Sequence, residues 1–257
     1  MTAQFQLALF GALPAIVAMA YVDRLDAKRP EPRRTLRLVA LVGALSGIVV
    51  SIVGAVLRPL GPESGTYFAA FYDAFIVAAG PEELAKLVAM LVVAWRRPEF
   101  DERMDGIVYG ARAGLGFALV ENVVYLIVVP HSLAEFVSLF VARALLAVPG
   151  HMAWGAILGY FAARRRFDGT GPGMLGGLAL AILLHGLYDA SLFAVPVAIA
   201  HGHTTWALGL YGVPVVAYLP PLLAIVASVL TMRACAAKAV AADDADLPPP
   251  TRVTSQT

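Results

Sequence analysis

Glu82, Glu83 and Lys86 are three ionisable residues in the middle of a stretch that is otherwise almost entirely apolar. A charge at the centre of a membrane helix costs about 2.5–3.5 kcal/mol on insertion scales, so such residues usually have a partner and a function. Glu82 and Lys86 are four residues apart, which favours an ion pair on one helix face. We expect this pair to leave Glu83 available to a group on another segment, as one half of an active site.

A second apolar stretch contains Glu121, Asn122 and Tyr125. Glu121 and Tyr125 share one helix face because they are four residues apart. No basic residue of the same stretch lies one turn from Glu121. Its carboxyl group is therefore an ion-pair partner of Lys86 or Arg143, a carboxylic acid kept neutral, or a metal ligand or acid–base group. We favour the last interpretation.

A third apolar stretch contains His151, which follows closely after Pro149. A lone intramembrane histidine is often only a hydrogen-bonded packing residue. Here Pro149 interrupts the helix just before it and two other stretches carry acids, so we favour a functional role. Arg143 lies earlier in the same stretch, and we interpret it as a side chain that snorkels to the interface or pairs with Asp73.

A fourth apolar stretch contains His185 and Asp189, which face the same way at four-residue spacing. A carboxylate in this position can hold the tautomer of the imidazole or bind a metal together with it. With Glu121 and His151 they form a set of imidazoles and carboxylates typical of a catalytic zinc site. The ligands come from separate stretches, so a zinc ion and activation of water by a carboxylate alone both stay open.

Composition determines which elements must position these groups. The 257 residues are 60% hydrophobic and 14% charged, against about 25% charged in a soluble domain. The sequence predicts an all-α, polytopic transmembrane helix bundle of one domain at residues 1–240, followed by a disordered cytoplasmic tail at 241–257. About seven spans are expected, at residues 4–22, 36–57, 66–95, 107–129, 136–161, 173–195 and 207–232.

Two kinds of residue modify these helices. Pro81 and Pro149 interrupt the third and fifth predicted spans, so we expect a tilt, a kink or a break there. Glycines recur at four-residue spacing, which allows close helix approach, in the pairs Gly110 and Gly114, Gly155 and Gly159, and Gly173 and Gly177.

Basic residues alternate from loop to loop. The loops after the first, third and fifth spans and the segment after the last span are basic, whereas the other loops contain only Arg58 among Lys and Arg. The positive-inside rule then predicts an N-terminus outside and a C-terminus in the cytoplasm. The basic residues form no single patch, so the sequence gives no support for nucleic-acid binding.

Four motifs together resemble the PrsW family of intramembrane proteases, distant relatives of the CAAX prenyl endopeptidases and the bacterial Abi proteins. The motifs occur in family order and are Glu82-Glu83-x-x-Lys86, Gly116-Phe117-x-x-x-Glu121-Asn122-x-x-Tyr125, Pro149-x-His151 and His185-Gly186-x-Tyr188-Asp189. CAAX-type enzymes have an arginine one position after Lys86 and a histidine where this chain has Glu121. The PrsW branch shares both changes, so the resemblance favours that branch.

The resemblance implies hydrolysis of a peptide bond in a membrane-anchored protein inside the lipid bilayer. In the founding member the substrate is an anti-sigma factor, which is not transferred to this chain. Glu82 or Glu83 would activate the water, and we assign Asn122 to the oxyanion on chemistry alone. The implied catalytic set is Glu82, Glu83, Lys86, Glu121, Asn122, His151, His185 and Asp189, and the ligands of a zinc ion would be Glu121, His151, His185 and Asp189.

Two other classes of function stay open at this point. A proton-coupled or ion-coupled transporter would also need intramembrane Glu, His and Lys. Such a carrier often has an inverted repeat, and residues 1–110 show no such symmetry with residues 111–232. A non-catalytic membrane scaffold would tolerate Glu83→Gln, whereas a protease should lose its turnover.

Overall fold

The structure is a computed structural model that describes residues 9–202, 209–210 and 213–246. It is a bundle of helices, which confirms the all-α membrane architecture. A two-residue antiparallel pair, β1 (Gly209–Leu210) with β2 (Val213–Pro214), precedes the last helix. The helices are α1 (Leu13–Leu25), α2 (Arg33–Leu57), α3 (Tyr67–Tyr72), α4 (Gly80–Val93), α5 (Arg103–Val128), α6 (Leu133–Ala142), α7 (Val148–Asp168), α8 (Gly173–Ala200) and α9 (Leu219–Ala245), with short 3-10 turns at Phe10–Ala12, Arg58–Leu60 and Val215–Tyr218.

Each predicted span contains helix, but the helices differ in how apolar they are. Five in the described chain are long and apolar enough to cross a membrane, at Arg33–Leu60, Arg103–Val128, Leu133–Asp168, Gly173–Ala200 and Leu219–Ala245. Of the other two predicted spans, the first begins outside the described residues and the third carries Glu82, Glu83 and Lys86. The count of seven and the orientation in the membrane stay predictions.

The two interrupted spans do not break at their prolines. A π-helical segment joins α3 to α4 at Asp73–Ala79 and another joins α6 to α7 at Arg143–Ala147. Pro81 and Pro149 each lie in the first turn of the helix that follows. A proline there lacks the N–H that would bond back to the preceding turn, and the wider π turn accommodates this loss while the helix continues.

Glycines bring α5 and α7 into backbone contact. A Cβ atom on Gly110 would overlap the carbonyl oxygen of Gly155, and a Cβ on Gly155 would overlap that of Gly110. Gly106 faces Gly159 in the same way, and Gly114 faces the carbonyl of His151. The predicted close approach is therefore confirmed for the glycines of these two helices.

Salt bridges connect the ends of the helices that border the basic loops. Arg103, at the start of α5, contacts Asp168 at the end of α7 and both Asp243 and Asp246 at the end of α9. Asp243 is buried and also accepts from the backbone N–H of Met104. α9 is helical to Ala245, beyond residue 241, where the disordered tail is expected to begin. Residues 247–257 are outside the described chain.

Candidate active site

The polar residues of four apolar stretches meet at a buried cavity of about 180 Å³. The cavity lies in the half of the bundle away from the basic loops, because Tyr125 is near the end of α5 and Arg143 precedes α7. Its polar lining consists of Glu82, Glu121, Tyr125, Arg143, His151, His185, Tyr188, Asp189 and Tyr218. Separate helices thus contribute the acidic and imidazole side chains for which the sequence predicted a catalytic role.

The two neighbouring glutamates of α4 have different partners. Lys86 Nζ lies 2.5 Å from Glu83 Oε1 but 3.8 Å from Glu82 Oε2. The predicted Glu82–Lys86 ion pair is therefore present, but the shorter contact of Lys86 is with Glu83. Glu83 also meets a group on another segment, as expected. Both i,i+3 and i,i+4 residues are helix neighbours, and Glu83 is also 2.8 Å from His185 Nδ1. The fully buried Glu83 thus has two partners, while Glu82 borders the cavity.

His151 lies between a cation and a carboxylate. Its Nδ1 is 2.7 Å from Lys86 Nζ, and its Nε2 is 2.9 Å from Glu121 Oε2. A lysine ammonium can only donate, so it bonds to Nδ1 as the acceptor. The proton of a neutral imidazole is then on Nε2 and points to Glu121.

His185 lies between two carboxylates. Its Nδ1 faces Glu83, and its Nε2 lies 3.2 Å from Asp189 Oδ2, the contact that the four-residue spacing predicts. Trp154 stacks on the ring at a centroid distance of 4.0 Å and donates its indole N–H to Ser228. Sequence reasoning missed Trp154, although its position three residues after His151 places it on the same side of α7.

Arg143 pairs with Glu121, one of the alternatives considered for that carboxylate, and not with Asp73. Its Nη2 donates to Glu121 Oε2 at 2.5 Å and its Nε to Asn122 Oδ1 at 2.6 Å. Asp73, the predicted partner, instead lies 3.8 Å from Arg58. The interpretation of Arg143 as a snorkelling residue or a partner of Asp73 is wrong, because its side chain is buried and the nearby acid is Glu121.

Glu82, His151 and His185 could hold a metal ion, because one ligand atom of each lies within 4.8 Å of the others. One glutamate with two histidines is a known donor set of catalytic zinc sites. Oε2 of Glu82 is buried and has no hydrogen-bond partner among the described residues. A ligand position for Glu82 was not predicted, since its spacing to Lys86 indicated an ion pair.

The charges around the cavity also fit a cation. The four carboxylates of Glu82, Glu83, Glu121 and Asp189 are accompanied by two basic side chains, Lys86 and Arg143. With all four carboxylates ionised and both imidazoles neutral, this cluster would have a net charge of −2. A buried charge needs a counter-charge, and one divalent ion would supply it. Glu121 and Asp189, predicted as ligands, contact the two histidines.

Comparisons with known proteins agree with this site. The sequence model described as "PrsW family intramembrane metalloprotease" matches residues 31–225. Proteins named Protease PrsW are similar: 34% identical in Halalkalibacterium halodurans (72% of this chain, 84% of the relative), 31% in Geobacillus kaustophilus (74% and 81%) and 28% in Clostridioides difficile (72% and 79%). No solved structure matches.

The family model covers most of the chain, including all four motifs and every polar residue of the cavity. The relatives are aligned over more than two thirds of their own length. This chain belongs to the PrsW family of intramembrane metalloproteases and is a protease.

Proposed function

We propose that this chain hydrolyses a peptide bond of a membrane-anchored protein inside a bacterial plasma membrane, with a zinc ion held by Glu82, His151 and His185. The observation that carries the proposal is the convergence of these three donors, from three helices, within 4.8 Å at a buried cavity. The bacterial origin of the similar proteases supports the choice of membrane.

Glu83 and Lys86 would hold the two imidazoles in place. Glu83 Oε1 accepts from His185 Nδ1 and from Lys86, and Lys86 in turn contacts His151 Nδ1. This chain of hydrogen bonds turns both Nε2 atoms toward the carboxylates of the cavity. Partners of this kind orient metal ligands. A neutral imidazole that binds a cation through Nε2 carries its proton on Nδ1. Cation binding to His151 would therefore move the proton from Nε2 to Nδ1 and release one proton from the Lys86–His151 pair.

Asp189 would take the proton of the attacking water. A zinc ion at this site would supply Lewis acidity and make a nearby water more acidic. Among the cavity carboxylates, Glu121 already accepts at Oε2 from Arg143 and His151. The one ion pair of Asp189 among the described residues is with His185. Its carboxylate is therefore the one best placed to receive the proton and pass it to the leaving amine.

The proposal is tested by measuring metal and cleavage together. Wild type and His185→Ala are purified in detergent, their zinc content is determined, and both are assayed on a panel of labelled single-span peptides. We expect one zinc per wild-type chain, with zinc and cleavage both lost in His185→Ala. His201→Ala is the matched control, because His201 is exposed and remote from the cavity.

Three outcomes would contradict parts of the proposal. Cleavage by metal-free wild type would exclude a role for zinc, and catalysis would then depend on the carboxylates and histidines alone. Zinc retained in His185→Ala would remove His185 from the ligand set. If no variant cleaves any peptide and all complement a deletion strain equally, the chain acts as a scaffold.

A further inference from the structure

Arg143 is a largely buried cation at the point where α6 widens into a π turn. It is the first residue of the π segment Arg143–Ala147, and π turns inside helices are frequent at functional sites. Its side chain is 12% exposed and borders the same cavity as Glu82 and His151. A buried guanidinium at this depth requires a reason beyond packing.

Three neighbours hold the guanidinium. Its Nε donates to Asn122 Oδ1 and its Nη2 to Glu121 Oε2, while its central carbon lies 4.1 Å from the centroid of the Tyr125 ring. The first two contacts are charge-assisted hydrogen bonds, and the third is a cation–π contact. Together they fix the plane of the group.

The guanidinium still has unused donors. An arginine carries five N–H groups, and among the described residues Nη1 has no hydrogen-bond acceptor. Because Arg143 borders the cavity, these N–H groups and the positive charge are available to a molecule bound there. The chemical group that they suit is an oxygen with negative charge.

We propose that Arg143 binds the carbonyl oxygen of the scissile peptide bond and stabilises the oxyanion. This inference rests on the proposed hydrolysis. As the water oxygen bonds to the carbonyl carbon and its proton moves to Asp189, the C=O π electrons move to the oxygen that Nη1 contacts. When they return, the C–N bond breaks and the amine leaves with the proton from Asp189.

Asn122, which we expected to be the oxyanion donor, then has a different task. Its side chain is buried, it does not border the cavity, and its Nδ2 donates to the carbonyl of Gly11 at 3.3 Å. Its Oδ1 accepts from Arg143. Asn122 is therefore a positioning residue that links Arg143 to the N-terminal segment.

Arg143→Lys tests the proposal, because lysine keeps the charge but loses the planar fork. We expect kcat to fall about 10²–10³-fold, as for removal of an oxyanion donor, with KM and Tm close to those of wild type. Arg58→Lys is the matched control and should leave kcat unchanged, because Arg58 is exposed and 3.8 Å from Asp73.

A binding measurement separates stabilisation of the oxyanion from simple pairing with Glu121. A phosphinic peptide, whose tetrahedral centre carries a negative oxygen, and a substrate peptide of the same sequence are titrated against wild type and Arg143→Lys. We expect the affinity for the phosphinic peptide to fall by about the factor lost in kcat, and the affinity for the substrate peptide to stay unchanged.

The inference is overturned if Arg143→Lys keeps wild-type kcat, if Tm falls together with kcat, or if both peptides lose affinity equally. Any of these results with an active wild type leaves the proposed hydrolysis intact. A wild type that cleaves no peptide removes the hydrolysis, and this inference with it.

Discussion

Helices α5 and α7 run side by side, and their contact changes character along the bundle. Toward the basic loops, Gly106 and Gly110 meet Gly159 and Gly155 backbone to backbone. Further along, the same two helices and the π turn before α7 present Glu121, His151 and Arg143 to a cavity. The two helices thus pack tightly in one half of the bundle and border a cavity in the other.

The difference shows how charged groups are held within a membrane protein. The close contact of α5 and α7 leaves no room for water and fixes two helices against each other. The ionisable residues lie just beyond this contact, where hydrogen bonds between helices hold most of them. We expect changes in the glycine half to alter stability first, and changes in the cavity half to alter activity first.

The largest effect is expected for Glu82→Gln in the cavity half. The change keeps the shape of the side chain, and no hydrogen bond to Oε2 is lost among the described residues. Cleavage should fall about 10³-fold, because several kcal/mol of stabilisation by the metal correspond to that factor. The measurements are kcat/KM, zinc content and Tm, and we expect Tm to stay unchanged.

Glu83→Gln and Glu63→Gln are the comparisons for this variant. Glu83 is fully buried between Lys86 and His185, so its loss should reduce stability as well as activity, by about 3–5 kcal/mol for a broken buried pair. Glu63 is exposed and should have no effect. An active Glu82→Gln enzyme would remove Glu82 from the chemistry.

Ala142→Leu should inhibit cleavage without unfolding the protein. Ala142 borders the cavity at the end of α6, and a larger side chain there would displace the substrate. A displacement of about 1 Å can cost on the order of 10²-fold in rate, so cleavage should fall by about that factor. The test is kcat/KM together with Tm, and a large loss of Tm would mean that this half is also tightly packed.

Gly155→Ala should destabilise the protein by about 1–3 kcal/mol, the usual cost of overpacking. The added Cβ overlaps the carbonyl oxygen of Gly110, which is backbone and cannot move aside alone. Gly47→Ala is the matched control, because its Cβ would be 3.8 Å from Phe117. We expect the control to be neutral or slightly stabilised, since alanine favours a helix over glycine. Equal Tm values would contradict the role of the glycine contact.

The smallest expected effect is a pH dependence of stability, which arises at the end of the bundle that carries the basic loops. Burial, and then the charges of neighbouring carboxylates, raise the pKa of Asp26 and the pKa of Glu102 to about 7 each. Arg29 lies beside both and opposes the rise. Their protonated forms are therefore the ones that the folded state favours.

The sign of the pH dependence follows from these raised pKa values. The stability that the protonated groups contribute is complete below their ordinary pKa near 4 and is lost as the pH rises through about 7. We expect Tm to fall by a few degrees between pH 5 and pH 8, and Asp26→Asn to reduce this fall. A Tm that rises over the same range would contradict the assignment.

The sequence predicted the helices better than the joints between them. Apolar stretches of sufficient length must be helical in a bilayer, since their backbone groups need partners. Pro81 and Pro149 indicated where the two helices are irregular. They did not distinguish a kink from a π turn, because either geometry accommodates the backbone hydrogen bond that a proline cannot donate. The part of α9 beyond residue 241 contacts Arg103, which is far away in the chain.

The sequence by itself determined that this protein is a helical membrane protein with acids and imidazoles in four apolar stretches, and its motifs identified the family. Only the tertiary structure decided which glutamate faces the cavity and which cation pairs with Glu121. The physical reason is that Glu82 and Glu83 are both helix neighbours of Lys86. The choice between them was made by His185, which lies on another helix more than 100 residues away.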